Sequence, residues 1–176
     1  MKIRKLSIAA LFLVFYLPLA AEDGFKKSDN QNGNDGQYRL MKELLESKSF
    51  ILSADYVYKR YDSREEAYSD INFIKVDSST AVIQTGAAHK FESNRVGGFT
   101  EKGKITQWKL NEITKKEAIV LSVHVIAKTG TYDVRFYVNA NNRATAYVSG
   151  TGSRQLVFEG YLSPLEGSAA YEGETF

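Results

Sequence analysis

The chain has 176 residues, enough for one domain with a substantial core and short for two. It contains no cysteine, which removes disulfides, cysteine-held metals, thiol nucleophiles and lipid attachment through an N-terminal cysteine. Lys and Arg number 23 against 21 Asp and Glu, but Lys2, Arg4 and Lys5 cluster at the very start, and without residues 1–21 the balance is 20 against 21, a formal charge of −1. With that balance and no basic cluster beyond Lys115-Lys116, attraction to nucleic acid or acidic lipid has no source, and nucleic-acid binding is excluded as an expectation.

In chain order, MKIRKLSIAALFLVFYLPLAA places those three cations before an apolar run from Leu6 to Leu19 and the small pair Ala20-Ala21. This is the pattern of a secretory signal peptide, residues 1–21, and the run is shorter than the roughly 20 residues a spanning helix needs. The expected mature chain is therefore exported, periplasmic or at the cell surface, with no integral membrane segment. Residues 22–36, EDGFKKSDNQNGNDG, are too polar to bury themselves and read as a flexible leader. Residues 37–165 read as a single β-rich domain and 166–176 as a C-terminal tail or edge segment. Within QYRLMKELLESK, Gln37 to Lys48, Tyr38, Met41, Leu44 and Leu45 recur at helical spacing, predicting a short amphipathic helix.

Beyond the helix the period changes to two. Phe50, Leu52, Ala54, Tyr56 and Tyr58 fall on one side of the first strand; Ile119, Leu121, Val123 and Val125 on one side of another; Tyr132, Val134, Phe136 and Val138 on one side of a third. Less regular strands fit Asp70–Val76, Thr80–Gly86, Lys104–Ile113, Arg143–Ser149 and Arg154–Leu162. The separators DSS, KTGT, NANN and SGTGS are turn-formers, too short for the crossovers that parallel strands require. The expected fold is mainly β: about eight antiparallel strands in a meander, forming a barrel or strongly curved sheet, with the helix across one side or end.

Gly98, four residues and Gly103-Lys104 have the frame of a phosphate-binding loop. Ile105 follows where that loop needs a hydroxyl for magnesium, and KITQWKLNEI alternates like a strand, so no helix N-terminus is available for phosphate. The frame reads instead as a close approach at Gly97-Gly98 followed by a turn over Glu101-Lys102-Gly103-Lys104, with Gly103 at positive φ. NRVGGFTEKGKITQWKL, FILSAD before it and YDVRFYVNANNRATAYVSGTGSRQLVFEGYLSPL after it resemble a family of exported Bacteroidetes proteins, domain of unknown function 4251. The likeness runs from Tyr38 to Leu165 and is most specific at Gly150, Arg154-Gln155 and Gly160. It implies a periplasmic β-rich domain and no catalytic residues.

Candidate chemistry is sparse. His124, beside Ser122, reads as a strand residue with at most one hydrogen bond. His89 and Glu92 lie together in GAAHKFESN, the only pairing in the sequence that suggests a hydrolase base and its orienter. YDSREEAYSD lacks the glycine and final glutamate of a calcium loop and reads as a solvated loop. No metal site, cofactor or catalytic residue is expected. Tyr137, Tyr147 and Tyr161 alternate with Arg135, Arg143, Thr145 and Glu159 on the polar faces of the last strands, giving a candidate ligand or partner surface. The leading expectation is a non-enzymatic binding module for a small apolar or lipid-like ligand held inside the barrel. A protein-interaction module using the Tyr/Arg face is the alternative, with a periplasmic protein as partner, and a hydrolase using His89 and Glu92 is a third.

Overall fold

The computed structural model describes residues 29–86, 98–113, 118–150 and 155–173, with side chains from residue 35 onward. The expected signal peptide, and the stretch holding His89, Glu92 and Gly97, fall outside these residues. The elements in order are α1 (Asp29–Glu46), β1 (Ser49–Lys59), β2 (Phe73–Asp77), β3 (Thr80–Thr85), β4 (Phe99–Ile113), β5 (Ala118–Ala127), β6 (Thr131–Asn139), β7 (Arg143–Ser149) and β8 (Leu156–Pro164). Each strand pairs antiparallel with the next, and β8 pairs back onto β1, so the sheet is a closed barrel. Closure resolves the choice between a barrel and a curved sheet and leaves no strand without a neighbour on either side, although β4 runs on past β3, with which it pairs only as far as Lys104. Two tight turns put a non-glycine residue in the left-handed region: Ser78 with φ 53° between β2 and β3, and Asn142, a type that tolerates it well, with φ 59° between β6 and β7.

Alternation fills the interior. Phe50, Leu52, Ile83, Leu121, Phe136, Phe158 and Leu162 are fully or almost fully buried in one cluster. The Phe50 ring meets Phe136 edge-on at 5.7 Å and Trp108 at 6.1 Å, so the single tryptophan belongs to the core, with the Lys48 ammonium 5.2 Å from its ring centroid. Helix α1 packs against β1, β5 and β6, closing the end of the barrel where β1 begins. Leu45 is wholly buried there, with Tyr38, Met41 and Leu44 beside it. At the same rim Lys42 pairs with Glu112 at 2.6 Å, and the Tyr38 hydroxyl donates to Glu112 at 3.1 Å. The helix begins at Asp29 rather than Gln37, within the stretch expected as a leader. Once the apolar face from Tyr38 to Leu45 has docked, adding further turns costs less than nucleating them.

Three expectations are corrected. First, β1 does not keep one phase: a bulge between Ala54 and Tyr56 leaves Phe50, Leu52 and Ala54 inward but turns Val57 inward and Tyr56 and Tyr58 outward. Second, Glu101 to Lys104 is no turn. These residues lie inside β4 and pair with β3 as Ile83↔Glu101, Val82↔Lys102, Ala81↔Gly103 and Thr80↔Lys104. Among described glycines only Gly167 has positive φ; Gly103 is small because a Cβ there would sit 2.6 Å from the Ile126 carbonyl oxygen. The anticipated close approach does exist at Gly98, where a Cβ would fall 1.8 Å from the Thr85 carbonyl oxygen. Third, β4 starts at Phe99 rather than Lys104, since the strand simply continues through that segment.

A second, smaller core lies outside the barrel. Ile51, Phe73 and Val82 face outward from β1, β2 and β3 yet are at most 1% exposed, because the C-terminal segment crosses over them with Leu165 and Ala170. Gln84 anchors this strap: its amide donates to the Tyr171 carbonyl at 2.8 Å and its carbonyl accepts from the Gly173 N–H at 2.8 Å. Glu172 pairs with Lys75 and, at 3.1 Å, with Lys102. Burial raises the Glu172 pKa, but the two lysines lower it by more, so its carboxyl ends below the usual carboxylate range.

Candidate functional site

On the opposite side of the barrel the outer surface of β4 to β7 is concave, enclosing a groove of about 770 Å³. Its floor follows from register. One row of outward residues runs Lys109, Ser122, Arg135, Tyr147 across four strands. The row to one side is Gln107, His124, Asp133, Ser149, and the row to the other continues through Tyr137 and Thr145. Every one of these positions alternates with an inward core residue, so the polar groups are presented by rigid strands rather than by loops.

The groups divide into those already committed and those free. His124 Nδ1 bonds Asp133 at 2.7 Å, which fixes the ring, and among the described residues no serine or threonine hydroxyl donates to it. Among the described residues the pair is therefore an oriented imidazole with no hydroxyl nucleophile bonded to it. Tyr137 and Tyr147 meet edge-on at 5.7 Å. The Arg60 guanidinium, 5.8 Å from the Tyr147 ring centroid, donates to Gln155 at 2.9 Å, and Gln155 in turn donates to Ser149 at 2.8 Å. Behind Tyr147, the Tyr58 hydroxyl donates to Glu159, which also holds Arg64 at 2.6 Å. Burial, reinforced by that carboxylate, pushes the Tyr58 pKa up to about 12. In contrast, Lys109 and Arg135 line the groove with no ion pair or hydrogen bond to any described side chain.

Of the residues singled out by sequence, Arg135, Tyr137, Tyr147 and Thr145 come together here. Arg143 and Tyr161 share the outer face but lie away from the groove and satisfy each other: Arg143 donates to the Tyr161 hydroxyl at 3.0 Å with its guanidinium 4.9 Å from the ring centroid. Arg60, Gln107, Lys109, His124, Asp133 and Gln155 were not selected with that surface. Gln107 and Lys109 join the groove through register: Lys109 pairs with Ser122 and Ser122 with Arg135, while Gln107 pairs with His124.

A family model described as Domain of unknown function (DUF4251) matches residues 33–162. The chain belongs to this DUF4251 family. The crystal structure of a DUF4251 family protein from Bacteroides eggerthii DSM 20697 is similar in fold, with a TM-score of 0.66 and 21% identity, covering 83% of this chain and 99% of that one. No curated protein matches the chain. Among the described residues of this DUF4251 chain, no group of three His, Cys, Asp or Glu side chains is placed to hold a metal ion, and no helix is long and apolar enough to cross a membrane.

Proposed function

We propose that this DUF4251 chain is a non-enzymatic, exported binding module whose β4–β7 groove takes an anionic, hydroxyl-rich ligand, an acidic saccharide being the class that fits best. The observation that carries this is the pair Lys109 and Arg135, two cations in one row of a concave surface with no partner among the described residues. Tyr137 and Tyr147 offer ring faces and edges to a sugar, while Gln107, Ser122, Thr145 and Gln155 offer hydroxyl and amide partners. The Asp133 carboxylate is already engaged by His124, so it opposes an incoming anion less than a bare carboxylate would.

The phenylalanines and leucines packed inside the barrel leave little room for the apolar interior ligand anticipated from sequence. The groove reading is tested by calorimetric titration with an oligogalacturonate and with its neutral galactose counterpart. The acidic sugar binds, binding weakens with salt, and the Lys109→Ala/Arg135→Ala variant, still folded, loses about tenfold or more, as expected for charge-assisted hydrogen bonds. Equal binding of the neutral sugar, or an unchanged double variant, overturns the reading.

A further inference from the structure

Opposite α1, where β1 and β3 end and β4 and β8 begin, the barrel opens into a second cavity of about 630 Å³. Val57, Phe99 and Leu156 form apolar walls, and Asp62 and Glu65 stand in its lining, with Lys59 as the one cation there among the described residues. Glu101 is not part of that lining but lies two residues beyond Phe99 on the same face of β4. Its partner across β3–β4 is Ile83, which is fully buried in the barrel core, and one step outward on the same face Phe99 pairs with Thr85 at the cavity wall. Glu101 therefore points into the barrel.

At 8% exposure, Glu101 is one of three buried polar or charged side chains among the described residues. The other two are satisfied. Gln84 holds the strap, and Asn72 donates to the Tyr68 carbonyl at 2.9 Å while accepting from the Gly86 N–H at 2.9 Å. Glu101 Oε2 is the one buried side-chain oxygen or nitrogen among the described residues with no hydrogen-bond partner. Burying such a group without a donor is costly, and the cost falls when a ligand brings one.

We infer that this end of the barrel is a second binding site, for a primary ammonium carried on a small apolar body, with Glu101 receiving the charge. The acidic lining favours entry of a cation, the walls suit an alkyl or aryl group, and the unpartnered oxygen of Glu101, inward of Phe99 on β4, would accept N–H donors at charge-assisted strength. An ammonium fits better than a metal ion, because one buried carboxylate is too few ligands and no cluster of three potential ligands exists among the described residues.

The test uses hexylammonium, hexanol and hexanoate as probes of the full chain, followed by calorimetry and by amide chemical shifts. Hexylammonium binds with shifts centred on Phe99 and Leu156, hexanol binds about tenfold or more weakly, and hexanoate does not bind. Glu101→Gln, checked by thermal melting to be folded, loses about tenfold or more for hexylammonium, while Lys109→Ala/Arg135→Ala leaves that affinity unchanged, which separates this site from the groove. Absence of hexylammonium binding, hexanol binding as tightly, or a Glu101→Gln variant that binds equally well overturns the inference. The comparison of three probes on the unaltered chain decides the matter even if the variant does not fold.

Discussion

Gly160→Ala is expected to strain the barrel at its closing seam. Gly160 pairs with Ala54 on β1 and Ala144 on β7, at the step where β1 bulges. A Cβ there would lie 1.9 Å from the Ser53 carbonyl oxygen and 2.8 Å from the Ala54 Cα, both backbone atoms held by pairing on either side. Neither neighbour is the free end of a side chain, so relief requires β1 and β8 to separate by about an ångström or more, far beyond what rotamer changes supply. Overpacking of this kind costs about 1–3 kcal/mol, and a backbone-on-backbone clash belongs at the top of that range. For a chain of this length about 3 kcal/mol lowers the melting temperature by roughly 6–12 °C. Gly36→Ala is the internal control: nothing lies within 4 Å of its added Cβ, and it sits inside α1, so it should leave stability unchanged or raise it by up to about 1 kcal/mol. Both variants are compared with the parent by calorimetric thermal unfolding. A Gly160→Ala melting temperature within about 2 °C of the parent would show that the β1–β8 approach does not govern stability.

Two further expectations concern the parts that seal the barrel. Glu172 has a folded-state pKa below its unfolded value, so its pairing with Lys75 and Lys102 contributes stability that is present above the ordinary carboxylate range and lost as pH falls through the lowered folded value. Urea midpoints measured from neutral pH down into acid should fall less steeply for Glu172→Gln than for the parent; parallel slopes would refute a strap held by this carboxylate. Leu45→Ala, which empties a wholly buried position on α1, should cost about 2–5 kcal/mol in urea unfolding, and a loss under about 1 kcal/mol would mean that the helix is not part of the cooperative core.

Most strands were legible because period-two alternation survives wherever one face is dry and the other wet. Val134, Phe136 and Val138 against Arg135 and Tyr137 is the clearest case. The signal fails where that contrast breaks. Ile51, Phe73 and Val82 are apolar on the outer face because a strap covers them, and nothing local to β1–β3 announces a segment arriving from residue 165 onward. Glu101 is charged on the inner face, so the run from Glu101 to Lys104 has the composition of a solvated turn. The bulge at Asp55 reverses the phase within a sequence whose aromatic residues at 56 and 58 suit either side. For the groove, the candidate tyrosines and arginines could be chosen by type, but their grouping depends on cross-strand register. Register brought Lys109 to Arg135 and left Arg143 with Tyr161.

The seam also bears on how the molecule is made. Phe50 faces Pro164 across it, so the two halves of the final ladder are separated by nearly the whole domain in sequence. Every other rung joins neighbours along the chain and can zip up locally, whereas this one must await the last strand and pay loop-closure entropy over roughly a hundred residues, the kind of high contact order that slows folding. Until β8 arrives, β1 presents a bare edge carrying Phe50 and Leu52, and the growing sheet is open to pairing with a second chain. Shortening the chain ahead of Leu156 therefore favours association between molecules over a smaller, stable monomer.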